Sequence, residues 1–266
     1  MSDQTNHLQL LSLLSFSERL SFRISSWVNR HLKQPFMLWN ALFMYFIIWL
    51  GLSRRLTVTG LENIAHLTPK SSVLLASNHR TFFDFFVITW INFDRTSLPR
   101  NIYFPVRSNF FYDNILGLML NVIMGGCAMY PPIFRSTEKK PFNRYSMYCI
   151  AQKLREGGVT IGFHPEGTRN KDPDPFTFLP AKPGIGYVIK DSPSAVIIPV
   201  FSAGLSNNYP KEIYRNWVCP EEHPIVVCYG KTLDFSQSSQ TAQEIATEVL
   251  SAIEKLSQPH QERSEA

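Results

Sequence analysis

Between Leu10 and Val28, apolar residues recur at helical intervals: Leu10, Leu13, Leu14, Leu20, Ile24, Trp27 and Val28, with Glu18, Arg19, Arg23 and Arg30 between or just beyond them. This spacing predicts an amphipathic helix. From Phe36 to Leu52 the pattern becomes an apolar run interrupted only by Asn40. As a helix that run would reach about 26 Å at ~1.5 Å per residue, slightly short of a ~30 Å hydrocarbon core. Phe36, Trp39 and Trp49 near its ends and the Arg54-Arg55 flank fit an interfacial anchor. Residues 1–55 are therefore expected to form a membrane-associated helical hairpin lying on, or dipping into, one leaflet. A single true span is the second reading, and a buried core helix is the plainer alternative.

From residue 56 the pattern alternates between short apolar runs and helical periods. Strands are predicted at "RRLTVTG", "SSVLLASN", "NIYFPV", "GGCAMYPP", "VTIGF", "AVIIPVFSAG" and "PIVVCYGKTL". Helices are predicted at "TFFDFFVITWINF", "ILGLMLNVIM", "GIGYVIKDS" and "NRYSMYCIAQKLREG", the last closed by Gly157-Gly158. Such alternation implies an α/β domain over 56–240, with a mixed, mostly parallel sheet flanked by helices. In 241–266, Ile245, Val249, Ile253 and Leu256 share one face of a closing helix, and "SQPHQERSEA" reads as a frayed tail.

Composition narrows the class. The chain has 266 residues, 44% hydrophobic and 13% aromatic, which supports a sizeable core and argues against disorder. Its net charge of +5 suits an anionic membrane surface or anionic substrate, and is too weak and scattered to indicate nucleic acid. Cys127, Cys149, Cys219 and Cys228 form no C-x-x-C pair, so neither a zinc site nor a dense disulfide framework is expected. The N-terminus does not read as a secretory signal, and no repeat is present.

Candidate chemistry begins at "SNHRTFFDFF", residues 77–86. On a single helix His79 and Asp84 would not share a face, so the imidazole can meet the carboxylate only if His79 lies in the turn before the helix. Thr81 as N-cap, with Asp84 three residues later, fits that arrangement. One reading is a capping box followed by an ordinary helix. In the other, the helix N-terminus keeps Asp84 ionised, Asp84 fixes the imidazole tautomer, and His79 becomes a general base. The pair alone leaves both open. A second cluster, "IGFHPEGTRN", carries His164, Glu166, Gly167, Thr168 and Arg169 at the end of a predicted strand, where α/β sheets place ligands. Arg169 offers a planar fork for a phosphate or carboxylate, and Glu166 can accept from a hydroxyl.

"NHRTFFD" and "FHPEGTRN", in this order, resemble the first and third motifs of the glycerolipid acyltransferase family, which in its lysophosphatidate acyltransferases read N-H-x-S-x-x-D and F-P-E-G-T-R. "GGCAMYPPIFR", ending at Arg135, is similar to the second motif, and "AVIIPVF", centred on Pro199, to the fourth. "FPVRSNFF" with Arg107 stands where the family often has a lysine-containing segment. "FLPAKPGIGYVI" with Lys182 and Gly184 is similar to the stretch after the third motif. Arg80 and Thr81 replace the more usual Gln and Ser, His164 stands where Phe usually precedes Pro-Glu-Gly, and Pro131-Pro132 is inserted in the second motif.

The resemblance implies transfer of an acyl group from acyl-CoA or acyl-carrier protein to a lysophospholipid hydroxyl, most directly 1-acylglycerol 3-phosphate, giving phosphatidate. His79 and Asp84 would be catalytic. Arg107, Arg135, Arg169 and Lys182 would hold the acceptor phosphate, and Glu166, Gly167 and Thr168 would complete the acceptor site, with backbone groups near Gly167 as a first guess for the oxyanion donors. No metal and no cofactor beyond the thioester co-substrate is expected, nor a nucleic-acid partner; the bilayer is a partner, with the catalytic face on the cytoplasmic side. Alternatives are another lysolipid acceptor such as an amino-acid-linked one, glycerol 3-phosphate itself, a thioester hydrolase, or a non-catalytic lipid-binding protein. Neither a G-x-S-x-G elbow, an H-E-x-x-H motif nor a P-loop is present.

Overall fold

Ser15 sets where the first long helix begins. Its hydroxyl accepts the Glu18 N–H at 3.3 Å, and the Glu18 carboxylate accepts the Ser15 N–H at 2.8 Å, a reciprocal capping box. The predicted helix from Leu10 is therefore interrupted, and α1 runs Phe16–His31. Leu32 alone separates it from α2, Lys33–Gly51, which is long and apolar enough to cross a membrane by length and composition. The computed structural model describes residues 9–265, apart from the side chains of Phe110 and of residues 263–265.

The remaining helices are α3 (Asp84–Arg95), α4 (Ser108–Phe111), α5 (Ile115–Gly125), α6 (Lys140–Glu156), α7 (Gly184–Asp191), α8 (Tyr209–Val218) and α9 (Ala242–Glu265). The strands are β1 (Leu56–Thr59), β2 (Ser72–Ser77), β3 (Ile102–Tyr103), β4 (Val106–Arg107), β5 (Pro132–Ile133), β6 (Val159–Phe163), β7 (Val196–Ala203) and β8 (Ile225–Tyr229). Six of them form one sheet in the order β1-β8-β7-β2-β6-β3, parallel throughout except for the antiparallel β7–β8 pair. The mixed, mostly parallel α/β fold is thus as expected.

The central strands are apolar on both sides because helices cover both faces. Val73, Leu74, Ala76, Ile161, Ile198 and Val200 are essentially inaccessible to solvent. The chain moves one way along the sheet from β2 through α3 to β3, then back from β3 through α6 to β6. Right-handed crossovers accordingly place α3 on one face and α6 on the other.

Three expectations change. "GGCAMYPP" is not a strand: α5 continues to Gly125, Gly126 at φ +52° ends it in the left-handed region, and only Pro132–Ile133 pairs, in parallel, with β4. A helix not anticipated from the sequence, α8, follows β7, capped by Asn208 accepting the Lys211 N–H at 3.1 Å. The expected frayed tail is instead helical to Glu265. Ser257 is buried, and His260 anchors this end by meeting Cys228 Sγ at 3.0 Å and stacking near Phe201.

Candidate active site

Parallel pairing of β2 with β6 (Ser72 beside Val159, Ala76 beside Phe163) is what makes a site. Neighbouring parallel strands end on the same edge, so the loops carrying His79 and Glu166 emerge side by side. β7, on the other flank of β2, contributes a clamp. Buried Asn78 donates to the Ser202 carbonyl at 2.8 Å and accepts the Ser202 N–H at 2.8 Å, fixing the residue next to His79.

His79 lies in the turn before α3, and its Nδ1 meets Asp84 Oδ2 at 3.1 Å. Asp84 is buried and also accepts the Arg80 and Thr81 N–H groups at 2.8 and 2.9 Å and the Thr81 hydroxyl at 2.7 Å. The helix begins at Asp84 itself, so Thr81 is not the N-cap expected; its hydroxyl binds the carboxylate and accepts from the Phe83 N–H instead. Burial alone would raise the Asp84 pKa, but the hydrogen bond and charge of His79, with His164 and Thr81, outweigh it and hold the carboxyl below its ordinary value. An ionised acceptor requires His79 to carry its proton on Nδ1, which leaves Nε2 as the basic atom.

Glu166 has a different place from the one expected. It is buried, and its two oxygens accept the N–H groups of His79 at 2.8 Å and Leu179 at 2.9 Å. The carboxylate therefore ties the His79 turn to the loop after β6 rather than facing an acceptor hydroxyl. Gly167, at φ +64°, turns this loop under the Lys182 stem, but its N–H donates to the His164 carbonyl at 3.0 Å and is not free for an oxyanion. Thr168 is partly exposed, and Lys182 is exposed.

The arginines converge. Arg107 Nη2 donates to the Gly167 carbonyl at 3.0 Å. The β4–β5 pair sets Arg107 opposite Ile133, two residues before exposed Arg135. Burial, then the charges of Arg135 and Arg169, lowers the Arg107 pKa, as expected where three cations face one another. Among the described residues none of the three pairs with a carboxylate. Arg169 donates only weakly, at 3.3 Å, to Asn207 Oδ1, which also accepts the Phe82 N–H. Guanidinium ions without carboxylate partners are able to hold an anion.

Arg80 and His164 do more than their departures from the motifs suggested. Arg80 binds the carbonyls of Asp172, Asp174 (2.8 Å) and Thr177 (3.3 Å), pinning loop 170–179 over the turn whose N–H groups hold Asp84. His164 donates from Nδ1 to the Ser77 carbonyl at 2.9 Å and stacks on His79 at 3.8 Å between ring centroids, 8° from parallel. Burial and the nearby His79 push its pKa down to about 3, so it is a neutral platform and not a second base. His79, Asp84 and His164 bring three potential metal-ligand atoms within 4.8 Å of one another. Both Nδ1 atoms are engaged, however, and lone pairs in two parallel ring planes do not converge on one ion, so the group suits proton transfer better.

The platform gives a pH prediction. Unfolded His164 would titrate near its ordinary value of 6.5, against about 3 when folded. The unfolded chain therefore binds the extra proton between these values, and stability falls as pH drops from 6.5 toward 3. His164→Phe keeps a stacking face without the proton, and its melting temperature is expected to fall less than the parent's between pH 7 and 5. Equal losses would remove this assignment.

A histidine–carboxylate dyad at the carboxyl edge of an α/β sheet, with arginines free of carboxylate partners nearby, supplies the groups that base-assisted transfer to or from an anionic substrate requires. The family model described as Acyltransferase matches residues 55–203, more than half of the chain, and the chain belongs to that family: it is an acyltransferase. Among solved structures it is similar to the 1-acyl-sn-glycerophosphate (LPA) acyltransferase PlsC from Thermotoga maritima, with a TM-score of 0.54 and 16% identity over 98% of each chain. At that identity the likeness is one of fold. Among curated proteins, none matches the chain in sequence.

Proposed function

We propose that this acyltransferase moves a fatty acyl group from an acyl thioester, acyl-CoA or acyl-carrier protein, to the free hydroxyl of a lysophospholipid, 1-acylglycerol 3-phosphate being the acceptor that fits best. The product is phosphatidate. The observation that carries this reading is the set Arg107, Arg135 and Arg169, unpaired with any described carboxylate, beside the His79–Asp84 dyad.

In the proposed reaction His79 Nε2 takes the proton as the acceptor oxygen attacks the thioester carbonyl carbon. The tetrahedral adduct collapses with cleavage of the C–S bond, and the imidazolium returns the proton to the departing thiolate. Asp84 stabilises the imidazolium and keeps the tautomer, while neutral His164 offers its ring face to the developing cation. Lys182 and Thr168 flank the anion holder and would contact the acceptor head group. A thioester is reactive enough for one base and accurate positioning to suffice. Both substrates are amphiphiles, which supports membrane association through the N-terminal helices, on the cytoplasmic side where such thioesters are made.

The test is free-thiol release from acyl-CoA in mild detergent, with and without lysophosphatidate. Release that requires lysophosphatidate supports the proposal; release indifferent to any acceptor points to a hydrolase. Arg135→Ala is expected to raise KM for a phosphate-bearing acceptor by about tenfold or more, on the order of one charge-assisted hydrogen bond. It should change KM little for a neutral monoacylglycerol. Equal effects on both acceptors would discard the phosphate assignment and leave a carboxylate-bearing lysolipid.

A further inference from the structure

The connection from α8 to β8 reads Cys219-Pro220-Glu221-Glu222-His223-Pro224, and it brings three metal-ligating groups together. One ligand atom from each of Cys219, Glu222 and His223 lies within 4.8 Å of the other two. Cys219 and His223 are partly exposed, Glu222 is exposed, and the Cys219 thiol is in no disulfide. In the group of His79, Asp84 and His164 both Nδ1 atoms are engaged. Here the three side chains have no hydrogen-bond or ion-pair partner among the described residues.

The loop is held in shape by its own chain. Cys219 and His223 each precede a proline, which disfavours the helical region for both. They adopt nearly the same backbone conformation, φ −138° and ψ 60° at Cys219, φ −134° and ψ 62° at His223. Pro220 opens the 3₁₀ turn Pro220–Glu222 with its φ already set, which places Glu222 between the two. Gly204, after β7, packs so closely that a Cβ there would come 2.1 Å from the Pro224 carbonyl oxygen. Two prolines and this backbone contact fix the ligands, so little conformational freedom is left to lose on binding.

We propose that Cys219, Glu222 and His223 form a binding site for a borderline-soft divalent ion of the zinc type. Zinc takes thiolate and imidazole donors, whereas magnesium and calcium take oxygen. Tetrahedral zinc with bonds of about 2.0–2.3 Å sets its ligands roughly 3.3–3.8 Å apart. Closing to that spacing from within 4.8 Å is a matter of side-chain rotation, which the exposed, unpaired Glu222 can make. On binding, the thiol proton leaves to solvent, and thiolate with carboxylate balances the two charges of the ion. Three protein ligands leave the fourth position to water. The ion sits just past the C-terminus of α8, where the helix dipole favours positive charge, and ties that helix to β8. β8 lies on the far side of β7 from β2, so the site is separate from the His79 turn. A C-x-x-E-H spacing offers a single cysteine, which is why a C-x-x-C pattern does not register it.

The experiment is titration of the full chain, stripped of metal with a chelator, with Zn²⁺ by calorimetry and with Co²⁺ by absorption. Co²⁺ is expected to give a thiolate-to-metal charge-transfer band that Zn²⁺ displaces and excess Mg²⁺ leaves alone. Zn²⁺ at about 100-fold above its Kd should raise the melting temperature by roughly 5–10 °C. Cys219→Ser and His223→Asn should each weaken binding about a hundredfold or more, past the ~10–100-fold range for changes outside the ligand set. His79→Ala should bind as the parent does. In the parent, Zn²⁺ should slow alkylation of Cys219, read by peptide mass, and leave that of the partly exposed Cys149 unchanged, a test that needs no variant. No readout depends on acyl transfer. A cobalt band retained in Cys219→Ser, binding lost in His79→Ala, or Cys219 alkylation indifferent to zinc would each overturn the proposal.

Discussion

His79→Ala is expected to lower kcat for thioester-to-hydroxyl transfer by about 10²–10⁴-fold, the range for loss of a positioned general base. The fold should survive, because the imidazole is partly exposed and its contacts are one ring face and one carboxylate. Asp84→Asn should match it in rate and differ in stability. Four donors converge on Asp84: two backbone N–H groups, the Thr81 hydroxyl and His79 Nδ1. An amide cannot accept all four, and its own N–H₂ would face a donor. The tautomer of His79 would then no longer be fixed, and the turn would lose hydrogen bonds worth ~1–3 kcal/mol where a buried donor is stranded. Thiol release and thermal melts on both variants separate the two effects. If His79→Ala kept more than about a tenth of the parent rate, a base elsewhere would be required and the dyad would be only structural.

The dyad was legible because its geometry is local: five residues, a turn and a helix start. Its coming together with the Glu166 loop was legible only through a resemblance, since no spacing rule says that β2 and β6 are neighbours. The role of Glu166 was not legible. A carboxylate beside Gly-Thr-Arg reads as a ligand for substrate, and only the fold reveals that its oxygens hold the His79 and Leu179 backbones. Asn207 sits in a loop without any pattern, so its contacts to Phe82 and Arg169 had no signal. Arg80 and His164 were visible as departures, yet loop pinning and ring stacking are tertiary properties. α8 escaped for a sharper reason. Helix recognition looks for apolar residues on the inward face, and there the inward residues are Glu212 and Asn216. The tail beyond Ser257 looked polar enough to fray, but one contact, His260 on Cys228, lies beyond what periodicity can register.

Glu212→Ala is expected to be the most destabilising single change outside the core. Arg55 and Glu212 form an ion pair whose side chains are both fully buried, linking the end of α2 to α8. Glu212 also accepts from the Ser206 hydroxyl at 2.6 Å and pairs with Arg215 at 3.2 Å. Nε and Nη1 of Arg55 have no partner, so removal of Glu212 leaves a buried guanidinium with nothing to offset its lost hydration. Breaking such a pair costs ~3–5 kcal/mol. In a chain of this size each kcal/mol lowers the melting temperature by roughly 2–4 °C, so a fall of about 10 °C is expected. Replacing both partners by apolar residues, Arg55→Met with Glu212→Leu, should restore much of that loss, because no charge remains buried alone. The two melts distinguish the causes. A double variant clearly more stable than the single one assigns the cost to the uncompensated cation. Equal losses would assign it to the Ser206 and Arg215 contacts, making Glu212 a hub for the β7–α8 loop and not one half of a pair.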